Sequence, residues 1–389
     1  MKAHSIGSIS LAFTAISLVG LTTSLPAAAA TFYNVLNLGT LSENPDGFST
    51  ARGLNDLGEV IGDSPNAFGN QAFRTAPNSP INPATDNVVG NQVPSFANDI
   101  NNLGQVVGDI AAQSRFSASF ITEFDGAAQL VGVIDFNGIN DSSQIAATGL
   151  VSDPNIASIF HAVRIDSDDS IREQIDLGTL GGIRSNGIEI NNSGQVVGNS
   201  ETTNGETHAF RTMANSVINA ATDDLGTLGG ASSTAFDIND LGQVIGSSTT
   251  VSGETHAFLT GANAAINAAS DDLGTLGGDF SAAYSINELG FVVGNSSLAD
   301  GTSRAFVYDG TAMFDLNTLI SADSDFVLTS ARGINESGQI AATGFFADTQ
   351  TTRAFLLTPV PEPTTMLGAL AFSVGAGLLR KRNKQKIKA

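Results

Sequence analysis

The chain has 389 residues and no cysteine, which excludes disulfides, thiolate nucleophiles and zinc–thiolate sites. Its formal net charge is −21, and between residues 31 and 360 there are ten arginines against 37 acids, a net charge of −27. All five lysines lie outside that part, so Schiff-base chemistry is excluded there too. A body this acidic repels nucleic acid and anionic lipid and attracts cations.

Residues 1–30 are typical of a secretory signal peptide. Lys2 opens the segment, an apolar run over 6–21 follows, and four alanines ending at Ala30 offer a small-residue cleavage site. We expect cleavage near Ala30, so that the mature chain begins at about Thr31. The alternative is a membrane anchor, which the shortness of the apolar run disfavours.

Seven repeats fill residues 31–358. Each contains an asparagine in the pattern Ile/Leu-Asn-x-x-Gly-Gln-Val or a variant of it, and we call these residues the landmark asparagines. They are Asn55, Asn101, Asn140, Asn191, Asn239, Asn287 and Asn335, which number repeats 1 to 7. A second run, Asp-Leu-Gly-Thr-Leu-Gly-Gly, recurs every 48 residues at 176–182, 224–230 and 272–278. The regular period predicts a repeat architecture without a second domain.

Each repeat is predicted to hold four β-strands. In repeat 5 these are 235–238, 243–247, 255–259 and the Asp-Leu-Gly-Thr-Leu run, and no helical periodicity precedes the tail. The landmark asparagine begins a type I turn whose fourth residue is glycine in six repeats. Repeat 3 has Ser143 there, so its turn should be strained or different.

The third strand carries a triplet that begins with histidine in three repeats and ends in phenylalanine in six. The phenylalanines, which we expect in the core between repeats, are Phe73, Phe120, Phe210, Phe258, Phe306 and Phe355. We expect glycines of the second strand, such as Gly246, to let neighbouring repeats approach. The triplets His208-Ala-Phe210 and His256-Ala-Phe258 resemble the HAF-repeat family over residues 32–358, which implies an extracellular protein of unassigned activity.

The two ends of the repeat array predict closure. The chain opens on a strand of the fourth type, 33–41, and its last repeat stops at a strand of the third type, 353–357. Pairing the two predicts an all-β, seven-bladed β-propeller that the N-terminal strand closes, which also removes exposed edges. An open β-solenoid is the alternative shape.

Residues 359–389 are interpreted as a sorting tail. Pro361, Glu362 and Pro363 precede an apolar run over 366–379, predicted to form a short hydrophobic helix, and a basic end from Arg380. Fourteen apolar residues are short of the roughly 20 that cross a bilayer. The order of the parts resembles the PEP-CTERM signal, which implies recognition by an exosortase, transient membrane anchoring and delivery to the cell surface or extracellular matrix. An uncleaved tail anchor is the alternative.

Candidate chemistry in the body is sparse. His161, His208 and His256 occupy one repeat position, where other repeats have arginine, so we interpret them as structural rather than metal ligands. Calcium is the one cofactor that the sequence leaves open, at the acid clusters 166–169 and 323–325. The repeated pairs Asp223-Asp224 and Asp271-Asp272 are interpreted as structural, since an active site is normally singular.

We therefore expect a non-enzymatic binding protein with no catalytic, cofactor or metal residues. Its expected partners are the exosortase and an extracellular polysaccharide or surface protein, with no nucleic acid. The alternative is a glycan-acting hydrolase or lyase that uses a carboxylate pair. Acids that are not repeated, meeting from different repeats at the centre, would favour that alternative.

Overall fold

The structure, a computed structural model, describes residues 32–42, 47–90, 93–111, 118–122, 128–131, 134–152, 159–166 and 174–361. These residues form 26 β-strands and one 3-10 turn, η1 (Leu316–Thr318), so the prediction of an all-β body is confirmed. In this part of the chain no helix is long and apolar enough to cross a membrane. The predicted signal peptide and the predicted hydrophobic helix over 366–379 lie outside the described residues.

The strands follow one another in antiparallel order within each repeat. Before the first repeat comes β1 (Tyr33–Gly39). Repeats 1 to 3 hold β2 (Thr50–Leu54), β3 (Val60–Asn66), β4 (Gly69–Arg74), β5 (Ser95–Ile100), β6 (Val106–Ile110), β7 (Ala118–Thr122), β8 (Ala128–Val131), β9 (Ile134–Ile139), β10 (Ile145–Val151), β11 (Ile159–Ile165) and β12 (Gln174–Gly178). Repeats 4 and 5 hold β13 (Gly181–Ile190), β14 (Val196–Thr202), β15 (Thr207–Arg211), β16 (Asp224–Gly226), β17 (Gly229–Ile238), β18 (Val244–Thr250) and β19 (Thr255–Leu259). Repeats 6 and 7 hold β20 (Ser281–Ile286), β21 (Val292–Ser297), β22 (Ser303–Tyr308), β23 (Met313–Asp315), β24 (Phe326–Ile334), β25 (Ile340–Phe346) and β26 (Thr352–Pro359).

The outer edge of the repeats departs from the prediction of four strands. Repeats 2, 3 and 6 form four-stranded sheets, but repeats 1 and 5 form three strands among the described residues. In those two the outer position holds a single bridge, Phe73–Asn87 in repeat 1 and Phe258–Asp272 in repeat 5. The prediction of four strands is therefore wrong for both repeats. One parallel pair, Thr207–Ser232, joins the strands of repeats 4 and 5 into a seven-stranded sheet.

The N-terminal strand completes the sheet of the last repeat. β1 pairs antiparallel with β26, with Tyr33 opposite Pro359, and the sheet order is β1-β26-β25-β24. Val360 N also donates to Phe32 O at 2.7 Å. The two ends of the described chain are therefore neighbours, as the order of strand types predicted.

The landmark turns have the predicted conformation. In six repeats the glycine three residues after the landmark has a φ between 74° and 80°. Ser143 holds the same position with a φ of 59°, and its N–H donates to Asn140 O at 2.9 Å. A side chain at positive φ is strained, so the prediction of strain in repeat 3 is confirmed.

The phenylalanines of the triplets are fully buried between repeats, as predicted. Phe258 of repeat 5 packs in one cluster with Val197 and Ala209 of repeat 4. Repeat 3 packs this layer differently, because its triplet ends in Val163 where the other six end in phenylalanine. Phe136, four residues before its landmark, fills the space, where repeat 5 has Ala235. Two changes that preserve volume keep the layer closely packed.

The expectation for the second-strand glycines is wrong. A Cβ added to Gly246 would lie 1.9 Å from Thr234 O and 2.9 Å from the Phe258 ring, both in the same repeat. The glycine therefore permits close approach within a repeat, not between repeats. The cause is the first strand, which brings its carbonyl unusually close at this level.

A serine joins each of several repeats to the one before it. Ser233 Oγ of repeat 5 accepts from Ala209 N at 2.8 Å and donates to Gly226 O, both in repeat 4. At the junction of repeats 7 and 1, Ser49 Oγ accepts from Ala354 N at 3.0 Å and donates to Gly39 O of β1. The junction between the last and first repeats therefore uses the same hydrogen bonds as an internal junction.

Candidate functional site

Every first strand contains a β-bulge three residues before its landmark asparagine. In repeat 5, Ala235 opposes Gly246 and Asp237 opposes Ile245, so Phe236 has no partner in the ladder. A bulge takes its extra residue out of the ladder and re-aims the side chain. The bulge residues, as we call this set, are Arg52, Asn98, Asn137, Ile188, Phe236, Tyr284 and Arg332.

All bulge residues line one cavity of about 610 Å³, which we call the central cavity. Each of the seven repeats contributes to its wall, through its first strand and its landmark turn. The volume is within the range of about 300–1,000 Å³ that holds small ligands. Because the bulge residues differ from repeat to repeat, the wall of this cavity is chemically asymmetric.

Repeats 5 to 7 build an aromatic and cationic wall. The rings of Phe236 and Tyr284 have centroids 5.5 Å apart with planes at 56°. The guanidinium of Arg332 lies over the other ring, with Cζ 4.2 Å from the Tyr284 centroid. Such a contact leaves the N–H edge of the guanidinium open, because stacking uses only its face.

The two arginines of the cavity differ in their partners. Arg52 Nε is 2.5 Å from Asp63 Oδ2, so its charge is neutralised locally. Among the described residues no carboxylate lies within ion-pair distance of Arg332. Burial lowers the pKa of Arg332, and neighbouring Arg52 lowers it further. An arginine stays charged under such a shift, so the cavity holds one uncompensated cation.

The opposite wall is made of amides. Asn98 Nδ2 donates to Phe136 O at 2.7 Å, and Asn137 Nδ2 donates to Gly187 O at 2.7 Å, each in the following repeat. Asn186 lies in the same wall. Asn98 and Asn137 keep their carbonyl oxygens for further hydrogen bonds, because an amide both donates and accepts.

Three partly buried acids line the cavity two residues before the landmarks, in repeats 2, 4 and 5. Burial raises the pKa of Asp99 to about 6, although Ile139 N donates to it at 2.8 Å. Burial raises the pKa of Asp237 to about 7, although it accepts from Ile238 N and Ile286 N. Burial and the charges of the other two acids raise the pKa of Glu189 well above its ordinary value.

The landmark turns form the mouth at one end of the cavity. Each landmark Nδ2 donates to the landmark carbonyl of the next repeat, and Asn335 of repeat 7 donates to Asn55 of repeat 1 at 3.1 Å. The following residue accepts a backbone N–H from the preceding repeat through its side chain. Five of these seven residues are acids: Asp56, Asp141, Asp240, Glu288 and Glu336. This mouth is therefore strongly negative.

The histidines lie away from the central cavity and have structural partners. His208 Nδ1 is 2.9 Å from Asp224 Oδ1, and His256 Nδ1 is 2.9 Å from Asp272 Oδ1. His161 makes the matching contact with Asp176 at 2.8 Å. The aspartates begin the Asp-Leu-Gly-Thr-Leu-Gly-Gly runs, so these couples fix the outer strand to the third strand, as the structural interpretation predicted.

The other acids named from the sequence are also structural or dispersed. Asp223 is buried and caps its own loop, accepting from Asn219 N at 2.8 Å. Asp323 and Asp325 are exposed. Asp166 is in an ion pair with Arg164 at 2.9 Å, and 167–169 lie outside the described residues. Across the described ranges, no group of three or more His, Cys, Asp or Glu is arranged to hold a metal ion.

The sorting residues fall at the edge of the description. Pro361 is exposed at the end of the described chain, just after β26. Glu362, Pro363 and Ala30 lie outside the described residues.

Comparisons with known proteins give a family match and distant structural likenesses. Residues 183–358 match a family described as "Protein of unknown function (DUF3466)". No curated protein matches the chain. Solved structures that match include TolB from Acinetobacter baumannii, at 11% identity and a TM-score of 0.41 over 85% of this chain. A prolyl endopeptidase matches at 9% identity and a TM-score of 0.48 over 85% of this chain.

A third structure is the fungal lectin of Aleuria aurantia, described as a six-bladed β-propeller with a fucose recognition mode. It matches at 11% identity and a TM-score of 0.38, over 69% of this chain and 94% of the lectin. The chain spans 64% of the TolB chain and 51% of the prolyl endopeptidase chain, less than two thirds of each. At these scores the likenesses carry no argument about a ligand or a reaction.

Sequence reasoning missed the bulge residues and therefore the cavity wall. The alternation of side chains along a strand does not show which residue a bulge turns toward the centre. The signal was present in the alignment of the repeats: the third residue before the landmark changes in charge and size from repeat to repeat, while the landmark beside it does not.

Proposed function

We propose that this chain is an exported, surface-sorted, non-enzymatic β-propeller of seven blades that binds an extracellular polysaccharide in its central cavity. The observation that carries the binding role is the gathering of the dissimilar bulge residues on one cavity. The repeated phenylalanines and serines build the layers between repeats, whereas the bulge position, which differs from repeat to repeat, faces the cavity. A purely structural array gives no reason for that division.

Three observations support a closed ring of seven blades. β1 supplies the outer strand of the last repeat. Ser49 bridges repeats 7 and 1 as Ser233 bridges repeats 4 and 5. The landmark asparagines donate from each repeat to the next and from Asn335 back to Asn55. Small-angle scattering on the full chain, showing a compact particle rather than an elongated one, tests this shape against an open solenoid.

Export and sorting are proposed from the two chain ends. The signal peptide to Ala30 and the tail with Pro361, Glu362 and Pro363 favour secretion through the inner membrane, processing by an exosortase and release at the cell surface or in the matrix. Mass spectrometry of the protein recovered from the surface of an exosortase-containing host tests both. A mature chain that retains 366–389 contradicts the processing step.

The binding role is tested on a glycan array with the full chain in mild detergent. Isothermal titration calorimetry then measures the affinity for the polysaccharides that bind. Phe236→Ala removes part of the cavity wall and should weaken binding, whereas the exposed Phe68→Ala, outside the cavity, is the matched control. An array without binding, or equal binding by the two variants, contradicts the proposed site.

A glycan-acting hydrolase or lyase is the second candidate function. The observation that favours it is the trio Asp99, Glu189 and Asp237, acids that three of the seven repeats hold at one position and that line the cavity with raised pKa values. We prefer binding because Asp99 and Asp237 already accept backbone N–H groups, and Ser285 does the same work in repeat 6. Release of reducing ends that Glu189→Gln abolishes would establish the enzyme instead.

A further inference from the structure

We propose that the wall formed by Arg332, Tyr284 and Phe236 is a subsite for a carboxylate-bearing sugar, so that the polysaccharide bound by the cavity is acidic. This inference rests on the proposed function and names its substrate class. It starts from the placement of one charge: in a body of charge −27, Arg332 lines the central cavity with no carboxylate within ion-pair distance among the described residues, whereas Arg52 of the same cavity is paired with Asp63.

The position of Arg332 suits a carboxylate. Its face lies 4.2 Å from the Tyr284 centroid, so the ring holds the guanidinium plane and the N–H edge is left for a ligand. A guanidinium edge donates two parallel hydrogen bonds to a planar carboxylate. Arg52, next to it around the cavity, is occupied by Asp63 and adds long-range attraction rather than a second contact.

The surroundings suit a sugar ring rather than a small anion. Phe236 extends the aromatic surface beside Tyr284, and an aromatic face packs against the apolar face of a ring. Asn98 and Asn137 stand in the opposite wall with free carbonyl oxygens, which accept from hydroxyl groups. A cavity of about 610 Å³ also exceeds what an inorganic anion needs.

The acids of the cavity set the direction of approach. Five carboxylates surround the mouth at the landmark turns, so an acidic chain is repelled there. The opposite end of the cavity lies where the first strands begin, about five positions before the landmarks. Of the seven residues at that position, only Asp135 and Asn186 line the cavity. We therefore expect entry at the end where the first strands begin.

The test compares acidic oligosaccharides with their neutral esters. Oligomers of galacturonic, glucuronic and mannuronic acid, each beside its methyl ester, are titrated into the full-length chain in mild detergent. We expect at least one acid to bind roughly tenfold or more tightly than its ester, which corresponds to a charge-assisted pair. Arg332→Gln should abolish this preference, Arg332→Lys should keep part of it, and Arg304→Gln, outside the cavity, should leave it unchanged.

Every other outcome contradicts a specific part of the proposal. Equal affinity for acids and esters, or a preference that survives in Arg332→Gln, overturns the acidic subsite and leaves polysaccharide binding standing. Preference for sulfated oligomers over carboxylated ones overturns the carboxylate class. An absence of binding to every glycan on the array overturns the proposed function together with this inference. Thermal unfolding of each variant shows whether a lost preference reflects a lost fold.

Discussion

The layers between repeats and the wall of the central cavity are built from the same strands by opposite rules. Between repeats, the same residue type returns at the same position, as with Phe258 and Phe306 or Ser49 and Ser233. On the cavity wall, one position holds arginine, asparagine, isoleucine and aromatic residues in turn. The difference teaches that one bulge separates the side chains packed between repeats from those that line the central cavity.

The strongest test of this division replaces a phenylalanine in each region. Phe258→Ala empties a fully buried site between repeats 4 and 5 and should cost about 3–5 kcal/mol of unfolding free energy. Phe236→Ala, on the half-buried cavity wall, should cost about 1 kcal/mol or less. Chemical denaturation of both variants measures the difference, and similar midpoints would refute the division.

The partly buried acids sit at the boundary between the two regions and predict a dependence of stability on pH. Their folded pKa values are raised, so their contribution is fully present below about pH 4 and is lost as the pH rises through about 6 for Asp99 and 7 for Asp237. We expect unfolding free energy to fall by several kcal/mol over this window, because each pKa unit between the folded and unfolded values corresponds to about 1.4 kcal/mol. Asp237→Asn should flatten the fall, whereas the exposed Asp240→Asn should not. A stability that rises from pH 4 to 7 contradicts this account.

The serine bridges test whether the junction of the last and first repeats equals an internal one. Ser233→Ala and Ser49→Ala each leave a buried alanine N–H without its acceptor, which costs about 1–2 kcal/mol. We expect the two losses in unfolding free energy to agree within about 0.5 kcal/mol. A negligible loss for Ser49→Ala alone would mean that the ends of the array are not joined in solution.

The smallest effect is expected at the strained turn of repeat 3. Ser143→Gly relieves a positive φ and should raise unfolding free energy by up to about 1 kcal/mol, less the hydrogen bond from its Oγ to Gln105. Gly242→Ser makes the reverse change and meets Asn263, because a Cβ there would lie 2.4 Å from Asn263 Oδ1. Differential scanning calorimetry should therefore show opposite shifts, and shifts of the same sign would contradict the strain.

Local chemistry made the scaffold predictable from the sequence. The landmark turn follows from an asparagine and a glycine three residues apart, and the buried phenylalanine follows from an apolar residue at a fixed place in a strand. The repeats then predicted how the two ends of the array pair. The strand at 33–41 is of the fourth type, which the last repeat lacks, and it does pair with the last strand of that repeat.

The cavity could not be predicted in the same way. A bulge changes which face a residue occupies, and alternation along a strand does not reveal it, so Phe236 and Asp237 could not be assigned to a face. The role of Gly246 was predicted wrongly for the same reason. The bulge in the first strand brings Thr234 O against this glycine, so the close approach is within the repeat. The sequence predicted a fourth strand in repeats 1 and 5, where the structure has a single bridge. An outer strand pairs on one side only, so a full set of ladder hydrogen bonds adds little stability there.

The bulge in each first strand also bears on how such a molecule acquires new specificity. Because the bulge residue takes no part in the ladder and the landmark bonds run through backbone carbonyls, substitution at that position keeps the strand pairing, although Asn98 and Asn137 also bond to the following repeat. Seven positions, one per repeat, therefore set the chemistry of a single cavity, and neighbours such as Phe236, Tyr284 and Arg332 are in contact with one another. A library of variants with altered cavity walls would therefore vary only seven positions, residues 52, 98, 137, 188, 236, 284 and 332.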